Sequence, residues 1–118
     1  MPVILLKIEG AALFAAAIAA YATVGQGWLL FAALILVPDI SMLGYLAGPR
    51  IGAYCYNAAH LTVWPLAIII IGYFSAIPIL IGIGLIWLAH IGIDRALGYG
   101  LKYASAFRDT HLGRIGRD

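Results

Sequence analysis

Residues 79–101 read ILIGIGLIWLAHIGIDRALGYGL. The part up to Ala89 contains only apolar residues and glycine, and three ionisable residues follow it: His90, Asp94 and Arg95. A transmembrane helix needs about 20 mostly apolar residues, so this stretch is long enough to span a membrane. Ionisable side chains are costly inside a span, so their presence near one end marks a candidate functional region.

Three more apolar stretches precede this one, and only a few residues separate each from the next. Short breaks make consecutive helices antiparallel neighbours. We therefore expect an all-α protein, an integral membrane up-down four-helix bundle that forms one domain over residues 1–118. The predicted elements are spans at 4–24, 28–46, 51–74 and 79–101 and a basic interfacial tail at 102–118.

The composition excludes most soluble classes of protein. Of the 118 residues, 64% are hydrophobic and only 10% are charged, whereas a soluble domain carries about 25% charged residues. The mean hydropathy is +1.03. A soluble enzyme, a nucleic-acid-binding domain and a disulfide scaffold are therefore excluded, and Cys55 is the only cysteine. We expect the lipid bilayer, and no nucleic acid, as the partner.

The positive charges are distributed unevenly along the chain. The breaks near Gln26 and Ser75 carry no charge. The two ends and the middle break carry positive residues, namely Lys7, Arg50, Lys102, Arg108, Arg114 and Arg117. Because positive residues favour the cytoplasmic side of a membrane, we expect a multi-pass protein of the plasma membrane with both termini in the cytoplasm.

The polar residues of the spans lie toward the predicted cytoplasmic end of each helix, whereas the outer halves are apolar. Among them are three acids, Glu9, Asp39 and Asp94, and two histidines, His60 and His90. An unpaired buried carboxylate must be paired, protonated or bound to a metal. Even if Arg95 pairs with one acid, two carboxylates remain, which predicts a bound cation or a proton site.

His90 and Asp94 are four residues apart and therefore share one face of a helix. Together with His60 and Asp39 they form a two-histidine, two-carboxylate set, which is typical of sites for zinc, manganese or iron. In this interpretation Glu9 or Asn57 supports or deprotonates a metal-bound water. The structural alternative is that Asp94 only orients His90 or pairs with an arginine, and that His60 belongs to a polar clamp between helices.

Two prolines lie inside predicted spans. Pro38 directly precedes Asp39, and Pro65 lies in the middle of the third span. Each removes a backbone hydrogen bond and kinks its helix. A kink beside Asp39 would free a carbonyl near the polar residues, although kinks also serve simply to shape a bundle.

A non-enzymatic function is the second hypothesis. Arg50, Arg95 and Tyr99 would then bind an anionic small molecule or lipid headgroup, and the basic tail would lie on anionic headgroups. Small residues on the helices also permit close helix packing, and hence a homo-oligomer. A proton or ion pathway is disfavoured, because the apolar outer halves offer no polar route across the membrane.

Several strings in the chain resemble one known family. They are PDISMLGYL at 38–46, Tyr56-Asn57 with His60, AHIGIDRALGYGLKY at 89–103 and FRDTHLG at 107–113. These strings look like blocks of the small bacterial membrane proteins catalogued as domain of unknown function 4260. The resemblance covers nearly the whole chain. It implies a stand-alone helical bundle in the bacterial inner membrane and no particular activity.

The chain also resembles a second group of membrane proteins, but only in the types of residue that it places in its spans. Inner-membrane hydrolases described as metal-dependent also carry a Pro-Asp pair in a helix and histidines within the membrane. Pro38-Asp39, His60 and His90 match this pattern. The paired His-Arg and Thr-His strings of those hydrolases are not found in the expected place, so the likeness is an analogy.

Overall fold

The computed structural model describes residues 2–98 and the tail residues 109–110 and 113–114. Four spans follow one another along the chain. Span 1 is α1 (Pro2–Val24), span 2 is α2 (Trp28–Leu34) followed by a 3-10 helix (Val37–Ala47), span 3 is α3 (Pro49–Ala59) followed by α4 (Val63–Phe74), and span 4 is α5 (Pro78–Ala96). In the tail, β1 (Asp109–Thr110) pairs antiparallel with β2 (Gly113–Arg114). Apart from this short hairpin, the described chain is helical, as predicted.

The four spans have the length and composition of membrane-crossing helices. Among the described residues, four helices of 19 to 26 residues are apolar enough to cross a membrane. Large apolar side chains also lie on the outside of the protein, including Leu46 at 89%, Leu29 at 85% and Phe74 at 81% exposed. Such an apolar exterior is unfavourable in water and favourable in lipid, which indicates a membrane protein.

Span 4 lies at the centre of the fold and packs against span 1 and α4. Span 1 approaches it most closely where two glycines meet. A Cβ on Gly10 would lie 2.8 Å from the carbonyl oxygen of Gly92, and a Cβ on Gly92 would lie 2.7 Å from the nitrogen of Phe14. Beyond this crossing, Ala17 and Tyr21 of span 1 pack into the apolar core of span 4.

The 3-10 helix of span 2 packs against α3 of span 3. Two more glycines permit this contact. The ring of Tyr45 lies directly over Gly52, and a Cβ on Gly44 would lie 2.8 Å from Sγ of Cys55. The 3-10 helix and α3 therefore form a tight pair, on which the residues Asp39 and His60 are carried.

The helices differ from the predicted ones in three places. Span 2 changes from an α-helix to a 3-10 helix after Leu34. Span 3 is interrupted at residues 60–62, and Pro65 lies in the first turn of the helix that follows. Span 4 was expected to continue to Leu101, but its helix ends at Ala96, because Gly98 adopts a left-handed conformation with φ of 91°.

Candidate functional site

Four side chains from three spans converge on one point. Asp39 of span 2, His60 of span 3, and His90 and Asp94 of span 4 each offer one ligand atom, and these atoms all lie within 4.8 Å of one another. We call this group the His/Asp cluster. The prediction that these histidines and aspartates form a buried cluster is confirmed.

Two of these residues lie at helix breaks, and a proline sets the position of each break. A proline inside a helix clashes with the carbonyl four residues earlier. α2 ends at Leu34, four residues before Pro38, and the residue four before Pro65 lies between α3 and α4. As a result, Asp39 lies in the first turn of the 3-10 helix and His60 caps the C-terminal end of α3.

The polar atoms of the cluster are close to one another. Nε2 of His90 lies 3.0 Å from Oδ1 of Asp39 and 3.0 Å from Oδ2 of Asp94. Nε2 of His60 lies 3.4 Å and 3.2 Å from the same two oxygens. The two Nε2 atoms are themselves 3.0 Å apart. All four atoms therefore face a common centre.

Three of the four side chains in the cluster are largely shielded from solvent. The side chains of His60, His90 and Asp94 are 4%, 2% and 13% exposed, whereas that of Asp39 is 36% exposed. Among these four side chains, Asp39 is the most exposed, so it forms the open edge of the cluster in the described part of the chain.

Backbone carbonyls determine which nitrogen of each histidine carries a proton. Nδ1 of His60 lies 2.8 Å from the carbonyl oxygen of Tyr56, and Nδ1 of His90 lies 2.5 Å from that of Ile35. Since a carbonyl only accepts, each Nδ1–H must donate. In a neutral histidine this leaves Nε2 unprotonated, with its lone pair directed at the centre of the cluster.

This arrangement is unfavourable without a positive charge at the centre. With neutral histidines, four acceptor atoms would face one another and two carboxylates would be uncompensated. With both histidines protonated, two Nε2–H donors would face each other at 3.0 Å. With one protonated, its Nε2–H could donate to the other Nε2, but one carboxylate would stay uncompensated. A divalent cation at the centre would bind all four lone pairs and balance the two negative charges.

Five of the six distances between the ligand atoms are close to those of tetrahedral metal coordination, and the sixth, between the two carboxylate oxygens, is no more than 4.8 Å. The edge of a tetrahedron is about 1.63 times the distance from its centre to a corner, so zinc–ligand bonds of about 2.0 Å require ligand atoms about 3.3 Å apart. Five separations in the His/Asp cluster lie between 3.0 and 3.4 Å. The hydrogen bonds from Nδ1 to carbonyl oxygens are also the usual support of metal-bound histidines.

Two aromatic residues hold the cluster in place. The ring of Tyr56 stacks on that of His60 with centroids 3.8 Å apart, and its hydroxyl lies 3.4 Å from Oδ2 of Asp94. On span 4, Nε1–H of Trp87 donates to the carbonyl oxygen of Ala59 at 2.5 Å. Trp87 therefore attaches span 4 to the end of α3, directly before His60.

Trp87 and the carbonyl of Ile35 contribute to the site, although neither was among the predicted site residues. A signal for Trp87 was present, because an indole N–H in an apolar helix needs an acceptor and Trp87 lies three residues before His90, on the same face. No sequence signal identifies Ile35, because its contribution is a backbone atom. That atom becomes available only through the geometry of the helix break.

The other predicted site residues lie elsewhere. Glu9 and Arg95 line a separate cavity of about 340 Å³ between spans 1 and 4, and neither belongs to the His/Asp cluster. Among the described residues, the ion-pair partners of Asp94 are the two histidines, so the expected pairing with Arg95 is not observed. Asn57 lies on α3 one turn before His60, Arg50 is exposed at the start of α3, and Tyr99 lies outside the described residues.

Fold and site together define a class of small helical proteins with four spans apolar enough to cross a membrane and a buried His/Asp cluster between them. The chain belongs to the family described as domain of unknown function (DUF4260), which matches residues 3–115. The resemblance noted from the sequence is thereby confirmed. No curated protein and no solved structure matches the chain.

Proposed function

We propose that this protein binds a divalent metal ion within the membrane and that the ion forms a hydrolase-like site. The ligands are Asp39, His60, His90 and Asp94. Zinc is the first candidate, since two imidazoles and two carboxylates in a tetrahedron are a ligand set that zinc accepts. Manganese and iron accept the same atoms, but they prefer more ligands than the four that the cluster offers.

One observation carries the proposal. The Nε2 atoms of His60 and His90 lie 3.0 Å apart while both Nδ1 atoms are engaged by carbonyl oxygens. Each Nε2 also lies 3.0–3.4 Å from both carboxylate oxygens, so four lone pairs face one another. A shared cation accounts for this convergence.

The open edge at Asp39 supports a chemical role in addition to a structural one. A structural metal site is usually closed, whereas a catalytic site keeps one position exchangeable. The exposed carboxylate of Asp39 is the ligand that a water molecule can displace or share. A bound metal ion would make that water acidic and supply a hydroxide for hydrolysis at neutral pH.

We also propose an orientation in the membrane. The spans form an up-down bundle in the bacterial inner membrane, with both termini and the break before α3 on the cytoplasmic side. The support is the distribution of charge, because Lys7 and Arg50 lie at these positions, whereas the breaks near Gln26 and Ser75 are uncharged. The His/Asp cluster then lies in the cytoplasmic half of the membrane.

Metal analysis of the purified full-length chain tests the proposal. Elemental analysis after extraction in a mild detergent is expected to find one metal ion per chain. The His90→Ala variant is expected to retain less than about a tenth of it, since the tetrahedron loses a ligand and its tautomer support. The Glu9→Gln variant is the control, because it neutralises an acid of span 1 that lies outside the His/Asp cluster.

Two outcomes would contradict the proposal. The first is a folded wild-type protein that contains no metal and takes up none of zinc, manganese or iron added in turn. The second is a metal content that His90→Ala and Glu9→Gln leave equally unchanged. Far-ultraviolet circular dichroism on the same samples separates loss of metal from loss of fold.

A further inference from the structure

An apolar cavity lies beside the His/Asp cluster. Its volume is about 320 Å³, which is at the lower end of the roughly 300–1,000 Å³ typical of small-molecule sites. Side chains of spans 2, 3 and 4 line it, among them Leu34, Val37, Pro38, Ala59, Ile83 and Trp87. The cavity is therefore bordered by the same three spans that supply the cluster, and it is partly open to the outside of the protein.

The polar groups at the cavity wall already have partners within the protein. The hydroxyl of Ser41 donates to the carbonyl oxygen of Pro38 at 2.7 Å. The indole N–H of Trp87 donates to the carbonyl oxygen of Ala59 at 2.5 Å. An occupant of the cavity consequently meets a hydrocarbon surface, which fits an alkyl chain and offers a polar group no hydrogen bond.

The cavity lies beside Asp39 and His60, although its lining residues are their neighbours in the chain and not the cluster residues themselves. Pro38 and Ser41, which line the cavity, flank Asp39 in the chain, and Ala59 directly precedes His60. On span 4, Ile83 and Trp87 come before His90, so the cavity extends from the cluster toward the beginning of that helix. A molecule with its alkyl part in the cavity can therefore reach the exposed carboxylate with its other end.

We infer that this cavity binds an acyl chain of a membrane lipid and that the polar part of that lipid meets the metal ion at the Asp39 edge. The inference rests on the proposed function and names its substrate class. In the proposed orientation, the chain points from the cytoplasmic interface toward the middle of the bilayer. This is the direction that acyl chains of the same leaflet already have.

The two ends of the lipid contribute differently. Moving an acyl chain from bilayer to cavity gains little, because lipid tails are as apolar as the cavity wall, so the cavity adds only closer packing. The contact between the polar part and the metal ion therefore determines which molecule stays. The site consequently selects an amphiphile and not a simple hydrocarbon.

A photoreactive lipid tests this inference. The probe is a phosphatidylcholine with a diazirine halfway along one acyl chain, added to the purified, metal-loaded full-length protein in detergent. After irradiation, mass spectrometry of the peptides is expected to find the label on Ile83 or Trp87. The metal content of every sample is measured in parallel.

Two neighbouring alanines provide a matched pair of variants. Ala59 lines the cavity, whereas Ala58 is exposed on the same helix. Ala59→Leu fills the cavity and is expected to lower labelling at Ile83 and Trp87 by about tenfold or more, the smaller end of what overpacking costs. Ala58→Leu is expected to leave this labelling unchanged.

The outcomes separate the two proposals. Labelling that Ala59→Leu does not reduce, or that is found only on exposed faces, overturns the inference while leaving metal binding intact. A wild-type protein that takes up no metal but is still labelled in the cavity, with the labelling blocked by Ala59→Leu, would support the acyl-chain site and overturn the proposed function. If Ala59→Leu does not fold, Ile83→Phe fills the same cavity, with Ile79→Phe at an exposed position as its control.

Discussion

The carbonyl oxygen of Ile35 lies 2.5 Å from Nδ1 of His90, although 55 residues separate them in the chain. In an α-helix this oxygen would accept the backbone N–H of Asp39. Here the N–H of Asp39 bonds instead to the carbonyl of Leu36, at 3.0 Å, because span 2 has changed to 3-10 geometry. The change of helix type therefore releases an acceptor that fixes the tautomer of a histidine on another span.

Replacement of Pro38 by alanine tests this relationship. Without the proline, span 2 can continue as an α-helix, and the N–H of Asp39 can return to Ile35. We expect Pro38→Ala to lower metal affinity by about 10–100-fold, the usual effect of losing the outer partner of a metal-bound histidine. A competition titration with a chromophoric chelator measures the affinity.

The control for this variant is Pro78→Ala. Pro78 occupies the first turn of α5, where a missing N–H costs no helical hydrogen bond, so metal affinity is expected to stay at the wild-type value. Equal affinities for Pro38→Ala and the wild type would show that the freed carbonyl has no role in the site.

The two aspartates are expected to differ in importance. The side chain of Asp39 is 36% exposed and that of Asp94 is 13% exposed. Asp39→Asn keeps an oxygen at the open edge, where water can replace a weakened ligand, so we expect metal affinity to fall by about 10–100-fold. Asp94→Asn places an amide N–H₂ or a neutral oxygen among buried acceptors. Its metal affinity is expected to be at least about tenfold lower than that of Asp39→Asn.

The same chelator titration, run on both asparagine variants, checks this order of affinities. The opposite order, with Asp39→Asn the weaker binder, would contradict the assignment of Asp39 as the exchangeable ligand. It would leave the four-ligand site itself standing.

The hydrogen bond of Trp87 is expected to contribute to stability. Trp87→Phe keeps an aromatic ring but leaves the carbonyl of Ala59 without its donor. Hydrogen bonds between membrane helices contribute about 0.6 kcal/mol on average and up to about 1.7 kcal/mol, so we expect the free energy of unfolding to fall by about 1 kcal/mol. Unfolding by increasing dodecyl sulfate in mixed micelles measures this change.

Trp64→Phe makes the same substitution at a side chain that is 48% exposed. Its free energy of unfolding is expected to stay within about 0.5 kcal/mol of the wild type. If both phenylalanine variants were equally stable, the hydrogen bond between Trp87 and Ala59 would contribute nothing to the free energy of unfolding.

Spans 1 and 4 pack so closely at Gly92 that there is no room for an added side-chain atom. A Cβ there would lie 2.7 Å from the backbone nitrogen of Phe14, and backbone cannot move aside as a side chain can. Gly92→Ala is therefore expected to lower the free energy of unfolding by about 1–3 kcal/mol. The same dodecyl sulfate titration provides the measurement.

Gly82→Ala is the matched variant on the same helix. Its nearest neighbour would be Cγ of Gln26 at 3.0 Å, a flexible side chain that can give way, so a change below about 0.5 kcal/mol is expected. A Gly92→Ala protein as stable as Gly82→Ala would mean that the two spans do not cross as closely as described.

Much of the His/Asp cluster was predictable because polar atoms are rare and expensive in apolar spans. Asp39, His60, His90 and Asp94 stand out from the apolar sequence around them, and the four-residue spacing of the last two places them on one helical face. It was less predictable which charged residues lie next to one another. Arg95 directly follows Asp94 in the chain, but it lines the cavity next to Glu9, because neighbouring residues on a helix point in different directions.

The helix breaks were only partly predictable. Pro38 and Pro65 correctly indicated irregular backbone, but the interruption in span 3 lies upstream of Pro65, since the clash is with the carbonyl four residues earlier. The 3-10 geometry of residues 37–47 has no clear signature in an apolar sequence. The segment packs tightly against α3, where Gly44 and Gly52 admit Cys55 and Tyr45.

The origin of the four ligands in three separate spans has a consequence for biogenesis. When spans 1 to 3 have entered the bilayer, only Asp39 and His60 are in place, and the other two ligands arrive with the last helix. If the cluster binds a metal ion as proposed, the site is complete only once the last helix is in place, and the ion would link spans 2 and 3 to span 4.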